Sequence, residues 1–140
     1  MKYLSFFFTL AAAGWLLTAT ARAGDFKVIA NNSVTVSSIS ADDLKGVFLM
    51  TKASLSGGHV EPVLEQGGPA HEAFLKEYIR KTAQALQNYY RSQLLAGNAA
   101  MPKILASDAE VVEYVAKTKG AIGYVATSAG AAGVKTLEVK

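Results

Sequence analysis

Two four-residue stretches constrain the fold most: Ser40-Ala41-Asp42-Asp43 and Ser107-Asp108-Ala109-Glu110. Each places a serine where its hydroxyl can accept from the backbone three residues on, with a carboxylate at that third position. This is the capping box that opens a helix. The helix after Ser40 carries Leu44, Val47 and Phe48 on one face, and the helix after Ser107 carries Val111, Val112 and Val115. A third helix follows Gly68, with Phe74, Leu75, Tyr78 and Ile79 at helical spacing. Thr82 separates it from a fourth, in which Leu86, Tyr90 and Leu94 recur every four residues before Gly97 closes it. Short apolar runs over 26–30, 60–64, 120–125 and 134–139 read as strands. Pro62 assigns the second of them to an edge or an early end, and Gly57-Gly58 marks the turn before it. Strands alternating with helices predict a single α/β domain: a mixed sheet of about four strands flanked by four helices. Its expected core is Phe48, Phe74, Leu75, Ile79, Leu86, Tyr90, Leu94, Val112, Val115, Ile122 and Tyr124.

The N-terminal stretch has a different logic. One basic residue, Lys2, precedes an apolar run from Leu4 to Leu17 broken only by Ser5, Thr9 and Gly14, and Ala21-Arg22-Ala23 supplies small residues for a peptidase. Residues 1–23 read as a secretory signal peptide. A membrane span is the competing reading, but the run is shorter than the roughly 20 apolar residues a span needs. The exported domain is expected to cover residues 24–140 and to be periplasmic; mass spectrometry of the periplasmic form should find an N-terminus at or near Gly24. Without Lys2 and Arg22 the formal charge falls from +3 to +1, since 12 of the 14 basic residues remain against 11 acidic ones. The remaining basic residues are scattered, so no nucleic-acid partner is implied. With no cysteine in the chain, disulfides and thiolate chemistry are excluded and the core alone must hold the fold.

Between the second strand and third helix lies "EQGGPAHEAF". Gly67 and Gly68 permit backbone conformations that other residues avoid, and Pro69 suits the first position of a helix because its missing N–H costs nothing there. The loop presents free backbone N–H groups at the positive end of a helix dipole, which is equipment for holding an anion. No arginine, lysine, serine or threonine lies between Val63 and Lys76 to assist.

The stretches "SADDLKGVFLM", "EQGGPAHEAFLKEYI", "NYYRSQLLAG" and "TKGAIGYV" occur in the order and spacing of the phosphate-binding type of periplasmic substrate-binding protein, and the chain resembles a short relative of that family over most of residues 38–126. The resemblance implies one lobe of a type II periplasmic-binding-protein-like fold. Full-length members close two lobes over the ligand and run to well over twice this length. It also implies a phosphate loop reading roughly Arg-Ser-Asp-Gly-Ser-Gly-Thr-Thr. Here those places hold Leu64, Glu65, Gln66, Gly67, Gly68, Pro69, Ala70 and His71. Leu64 stands for the arginine, Gln66 for the acidic acceptor, Gly68 for a serine and Ala70 for a threonine. What remains is backbone: the N–H groups of Gly67, Gly68, Ala70 and His71 form the expected ligand site, a weak one.

Other residues offer less. Asn31-Asn32-Ser33 follows the first strand, where loops of open α/β sheets often touch ligands, and is an additional candidate, with a plain turn as the competing reading. His71 sits in a helix's first turn, where the dipole disfavours its protonation, and reads as a surface histidine. His59 has no cysteine or carboxylate at metal spacing. Tyr89-Tyr90 reads as core and rim. Lys117-Thr118-Lys119 reads as the solvated end of a helix. No catalytic residue, metal or cofactor is expected: nothing resembles Gly-x-Ser-x-Gly, a cysteine nucleophile or a paired histidine and acid. Two classes of function remain. One is an exported substrate-binding-like domain related to the phosphate-binding components of ABC transporters, with a degenerate ligand loop. The alternative is a periplasmic protein–protein interaction or adaptor domain that has lost anion binding. The expected partner is accordingly a small oxyanion such as phosphate, or a membrane or periplasmic protein.

Overall fold

The computed structural model describes residues 25–98 and 101–140; the signal peptide expected over 1–23 lies outside them. In chain order the elements are β1 (Phe26–Ala30), β2 (Ser38–Ile39), α1 (Ala41–Phe48), β3 (Ser54–Leu55), β4 (Gly58–His59), β5 (Glu61–Glu65), α2 (Pro69–Phe74), a π-helical turn continuing it (Leu75–Ile79), α3 (Ala83–Leu95), β6 (Lys103–Leu105), α4 (Asp108–Lys117), β7 (Ala121–Ala126) and β8 (Lys135–Val139).

Helix starts follow the local chemistry. Ser40 accepts from the N–H of Asp43 at 3.1 Å, Thr82 from Ala85 at 3.1 Å and Ser107 from Glu110 at 3.2 Å, while the Glu110 carboxylate accepts from Ala106 at 2.9 Å. α2 begins at Pro69 behind a Gly68 held at φ 103°. Its π-helical turn ends at Arg80, which adopts the left-handed φ of 58° and donates its N–H to Leu75.

The main sheet has six strands in the order β2-β8-β1-β7-β5-β6, and β3 and β4 form a separate hairpin. β5, β6 and β7 run parallel, as do β2 and β8, and β1 is antiparallel to both β7 and β8. Every strand of this six-stranded sheet except β1 therefore points the same way. The sheet exceeds the expected four strands because β2 and β6 have two and three residues, too few to leave a period in the sequence. Pro62 corrects another expectation, since β5 lies between β7 and β6 rather than at an edge. The N–H of Glu61 donates to Gly120 on the β7 side, so the Pro62 nitrogen faces the opposite side, where pairing with β6 starts only at Val63. No hydrogen bond is lost there.

Helices cover both faces. On one, Leu44, Val47, Phe48, Phe74, Leu75, Ile79, Leu86 and Tyr90 pack against Val28, Leu64, Ile122 and Tyr124. On the other, Val111 and Val115 of α4 pack against Ile29, Val63 and Val125, with Val112 partly buried beside them. Gly123 is glycine because α4 crosses so closely: a Cβ there would lie 3.0 Å from Val111. Leu94 is not in the core; it is 49% exposed. α3 is anchored one turn earlier, where the hydroxyls of Tyr89 and Tyr90 donate to the carbonyls of Leu49 and Phe48 at the end of α1. Beyond Tyr90 the helix leaves the core.

Candidate functional site

The common strand direction gathers three helix starts at one edge of the sheet: α1 after β2, α2 after β5 and α4 after β6. The carboxyl edge of such a sheet is where open α/β folds place ligand crevices. Within it, Gln66 ties its loop to β6 by donating to Leu105 at 2.8 Å, and the first bond of α2 runs from Glu72 to Gly68 at 3.1 Å. The N–H groups of Gly67, Gly68, Ala70 and His71 find no protein acceptor among the described residues. Gly67 and Gly68 are exposed, and a Cβ on either would meet nothing within 4 Å. The loop is an open set of backbone donors. Four N–H groups of the first helical turn are unpaired in any helix; here no serine or threonine side chain competes for them.

A polar cluster lies directly behind it. Glu65, the last residue of β5, is buried, and its Oε1 has no hydrogen-bond partner among the described residues. Burial, together with the adjacent carboxyl of Asp108, pushes its pKa up to about 8. At neutral pH it is a carboxylic acid, while Asp108, on α4, accepts from the N–H of Ala126 at 3.3 Å. The N–H of Glu65 donates to the hydroxyl of Tyr124 at 3.1 Å, and that hydroxyl meets Nδ1 of His71 at 2.5 Å. Burial raises the tyrosine's pKa and lowers the histidine's, with Glu72 opposing the latter. His71 is buried rather than on the surface as the sequence reading had it; its ring lies 23° from parallel to that of Tyr124, with centroids 6.0 Å apart.

The structure does not bring the Asn31–Ser33 turn to this edge. β1 runs against β5 and β7, so its end lies beside Ala121 and Ile122, where those strands begin. The turn's polar groups serve the fold. Asn31 donates to Val115 and Ala116 and accepts from Ser33, Asn32 donates to Gly133, and the Ser33 hydroxyl accepts from Gly120. His59 lies in the exposed hairpin with Glu61 3.7 Å away, and no cluster of three or more metal-ligating side chains occurs among the described residues. Lys117 pairs with Glu113 one helical turn earlier. Sequence reasoning missed Glu65, Asp108 and Tyr124. The available signal was a carboxylate, Glu65, ending an apolar strand immediately before Gly67-Gly68.

No protein-family model matches the chain, and no curated protein is significantly similar to it. Solved structures do match. Over 82% of its length the chain superposes, with a TM-score of 0.65 and 15% identity, on 44% of a Clostridium perfringens protein described as a phosphate ABC transporter substrate-binding protein, with phosphate bound. It matches PstS of Borrelia burgdorferi with a TM-score of 0.63 at 14% identity, covering 83% of this chain and 47% of that one. An ABC-type phosphate transport receptor of Vibrio cholerae matches at 0.55 and 14%, covering 82% and 46%. The chain has the fold of one lobe of a type II periplasmic-binding-protein-like structure. It spans less than half the length of these structures, as expected of a single lobe, and at such identities the likeness speaks for the fold. No helix among the described residues is long and apolar enough to cross a membrane.

Proposed function

We propose that the chain is an exported substrate-binding-like domain related to the phosphate-binding components of ABC transporters, and that it holds small oxyanions weakly through the backbone of Gly67, Gly68, Ala70 and His71. One observation carries the reading: four N–H groups without protein acceptors, on an open loop at the carboxyl edge of the sheet. No catalytic step is part of it. Four neutral hydrogen bonds at roughly 1 kcal/mol each and a dipole contribution of about 0.3–1 kcal/mol give millimolar affinity, short of the roughly 8 kcal/mol that micromolar binding needs.

The purified protein titrated with phosphate should therefore show a Kd on the order of 1 mM. Adding a cation on the exposed side of the loop, by Gln66→Arg, should tighten binding about tenfold or more, because a charge-assisted bond contributes roughly 1.5–3 kcal/mol. Leu64 and Gly68 are poorer places to restore polar side chains, since Leu64 is buried in the core and Gly68 sits at φ 103°. Micromolar binding by the unaltered protein would overturn the weak-site reading. A second reading, the adaptor domain with a membrane or periplasmic protein partner, draws on the exposed apolar side chains Leu94, Leu95, Met101 and Ile104. It gains if no oxyanion binds at all.

A further inference from the structure

Away from the loop, the π-helical turn meets the start of α3 across an open hollow of about 510 Å³, lined by Glu72, Leu75, Lys76, Arg80, Lys81 and Ala83 among others. That volume is in the range of sites for drug-sized molecules. The surface inside is mostly apolar, since lysine and arginine lay their carbon stems along such walls and keep their charges in water. Lys76, Arg80 and Lys81 are exposed, and none forms an ion pair among the described residues. Lys81 lies 5.8 Å from the centre of the Tyr89 ring, a contact that steadies the ammonium without neutralising it. Three cations against the one carboxylate of Glu72 leave two positive charges around the hollow. Ala83 adds the first turn of the thirteen-residue α3, which presents the positive end of its dipole there.

Arg80 supplies a second observation. It ends the π-helical turn at φ 58° and ψ 37°, its N–H donating to Leu75 at 2.6 Å. Glycine takes that left-handed conformation without strain and is the usual residue at a helix end. Arginine takes it at a cost in stability. Non-glycine residues held in this way concentrate at functional sites, as π-helical turns do. The backbone asks for glycine here, so the guanidinium, and not the turn, accounts for the residue.

We propose that this hollow binds a phosphate monoester carried on an apolar chain, with Arg80 as the main contact. The two net charges match a monoester, which approaches the dianion above its second pKa of about 6. The planar fork of a guanidinium can hold two phosphate oxygens at once, the lysines add point charges, and the apolar wall covers the first carbons of the chain. A carboxylate would leave one of the two charges unanswered. Such an ester comes either free in solution or as a lipid in a bilayer, with the same head and the same first carbons. The hollow shares no residue with the loop over Gly67 to His71, so it stands or falls apart from the weak oxyanion site.

Titration of the purified protein with octyl phosphate, followed by NMR, should shift the signals of Lys76, Arg80 and Lys81. Octyl phosphate should bind at least tenfold more tightly than inorganic phosphate, which lacks the chain, or octyltrimethylammonium, which reverses the charge. Arg80→Gly should weaken binding about tenfold, the loss of one charge-assisted contact, while raising the urea midpoint because the left-handed strain is gone. A variant that is more stable and binds less cannot have lost binding by unfolding. Arg80→Lys, charged and equally strained, should keep wild-type stability and an affinity between the two. Vesicles of phosphatidic acid, a lipid with a phosphate monoester head, assign the source. Co-sedimentation with them and not with phosphatidylcholine vesicles makes the ligand a bilayer lipid, and octyl phosphate binding without co-sedimentation makes it a soluble ester. Equal affinity for octyl phosphate and octyltrimethylammonium overturns the proposal, as do shifts confined to Gly67 and Gly68 or unchanged binding in Arg80→Gly. A lower urea midpoint for Arg80→Gly would place the arginine in the service of the fold and overturn it as well.

Discussion

Glu65→Gln should make the protein more stable than the wild type at neutral and alkaline pH, by about 3 kcal/mol near pH 7. The folded state keeps a proton on Glu65 to about pH 8, whereas the ordinary value is 4.5. A raised carboxyl pKa contributes stability that is fully present below about pH 4.5 and is lost as pH rises through about 8. Each pH unit in that window costs about 1.4 kcal/mol, which bounds the total loss at roughly 5 kcal/mol. Glutamine has nearly the same shape, can donate to Asp108, and does not ionise, so the variant escapes the loss. Its advantage should shrink towards zero near pH 4.5. His71 acts with the opposite sign: its lowered pKa contributes stability that is present above its ordinary value of 6.5 and lost as pH falls. Both proteins share that contribution, so the difference between their urea-unfolding curves isolates Glu65. Parallel stability–pH curves would show that the carboxyl is ionised in the folded state and that the buried acid is misassigned.

Such a group escapes sequence reading for a physical reason. Glu65 is perturbed by Asp108, which the fold brings to it from the start of α4, and the Tyr124 hydroxyl reaches His71 across a separation of 53 residues. No local pattern encodes either meeting. Features settled within one turn of chain were legible. Ser40 and Ser107 cap their helices as the boxes predict, and the helix after Gly68 starts at Pro69. The faces of α1, α2 and α4 follow from apolar spacing, because a helix packed along its length must bury every third or fourth residue. Leu94 breaks the rule where α3 is packed along only part of its length. The short strands β2, β3, β4 and β6 left no period to read. Of the loop, the donor geometry was visible in Gly67, Gly68 and Pro69. That His71 is buried, and that Asn31 belongs to the opposite edge, depended on strand direction, which no single segment specifies.

The same cluster can be probed from its apolar side, where Phe74→Ala should cost about 3–5 kcal/mol. Phe74 is fully buried. Its ring stacks on Tyr124 with centroids 4.0 Å apart and planes 13° from parallel, and meets Phe48 at 4.7 Å and Phe26 at 5.6 Å in edge-on geometry. Truncation removes the transfer free energy of a phenyl ring and leaves a void that rigid neighbours on three elements cannot collapse into. Aromatic pairs add about 0.5–1.5 kcal/mol each beyond their buried area. Total stabilities of such domains are about 5–15 kcal/mol, so the variant should unfold at a much lower urea concentration. Leu94→Ala, at a half-exposed position of the same apolar pattern, should stay within about 0.5 kcal/mol of the wild type. The contrast between the two is the sharp test, because sequence spacing alone assigns both residues to the core. A cost below about 1 kcal/mol for Phe74→Ala would mean that α2 turns another face to the sheet. In that case Tyr124 would lose the packing that holds its hydroxyl on His71, and the polar cluster built on that contact would go with it.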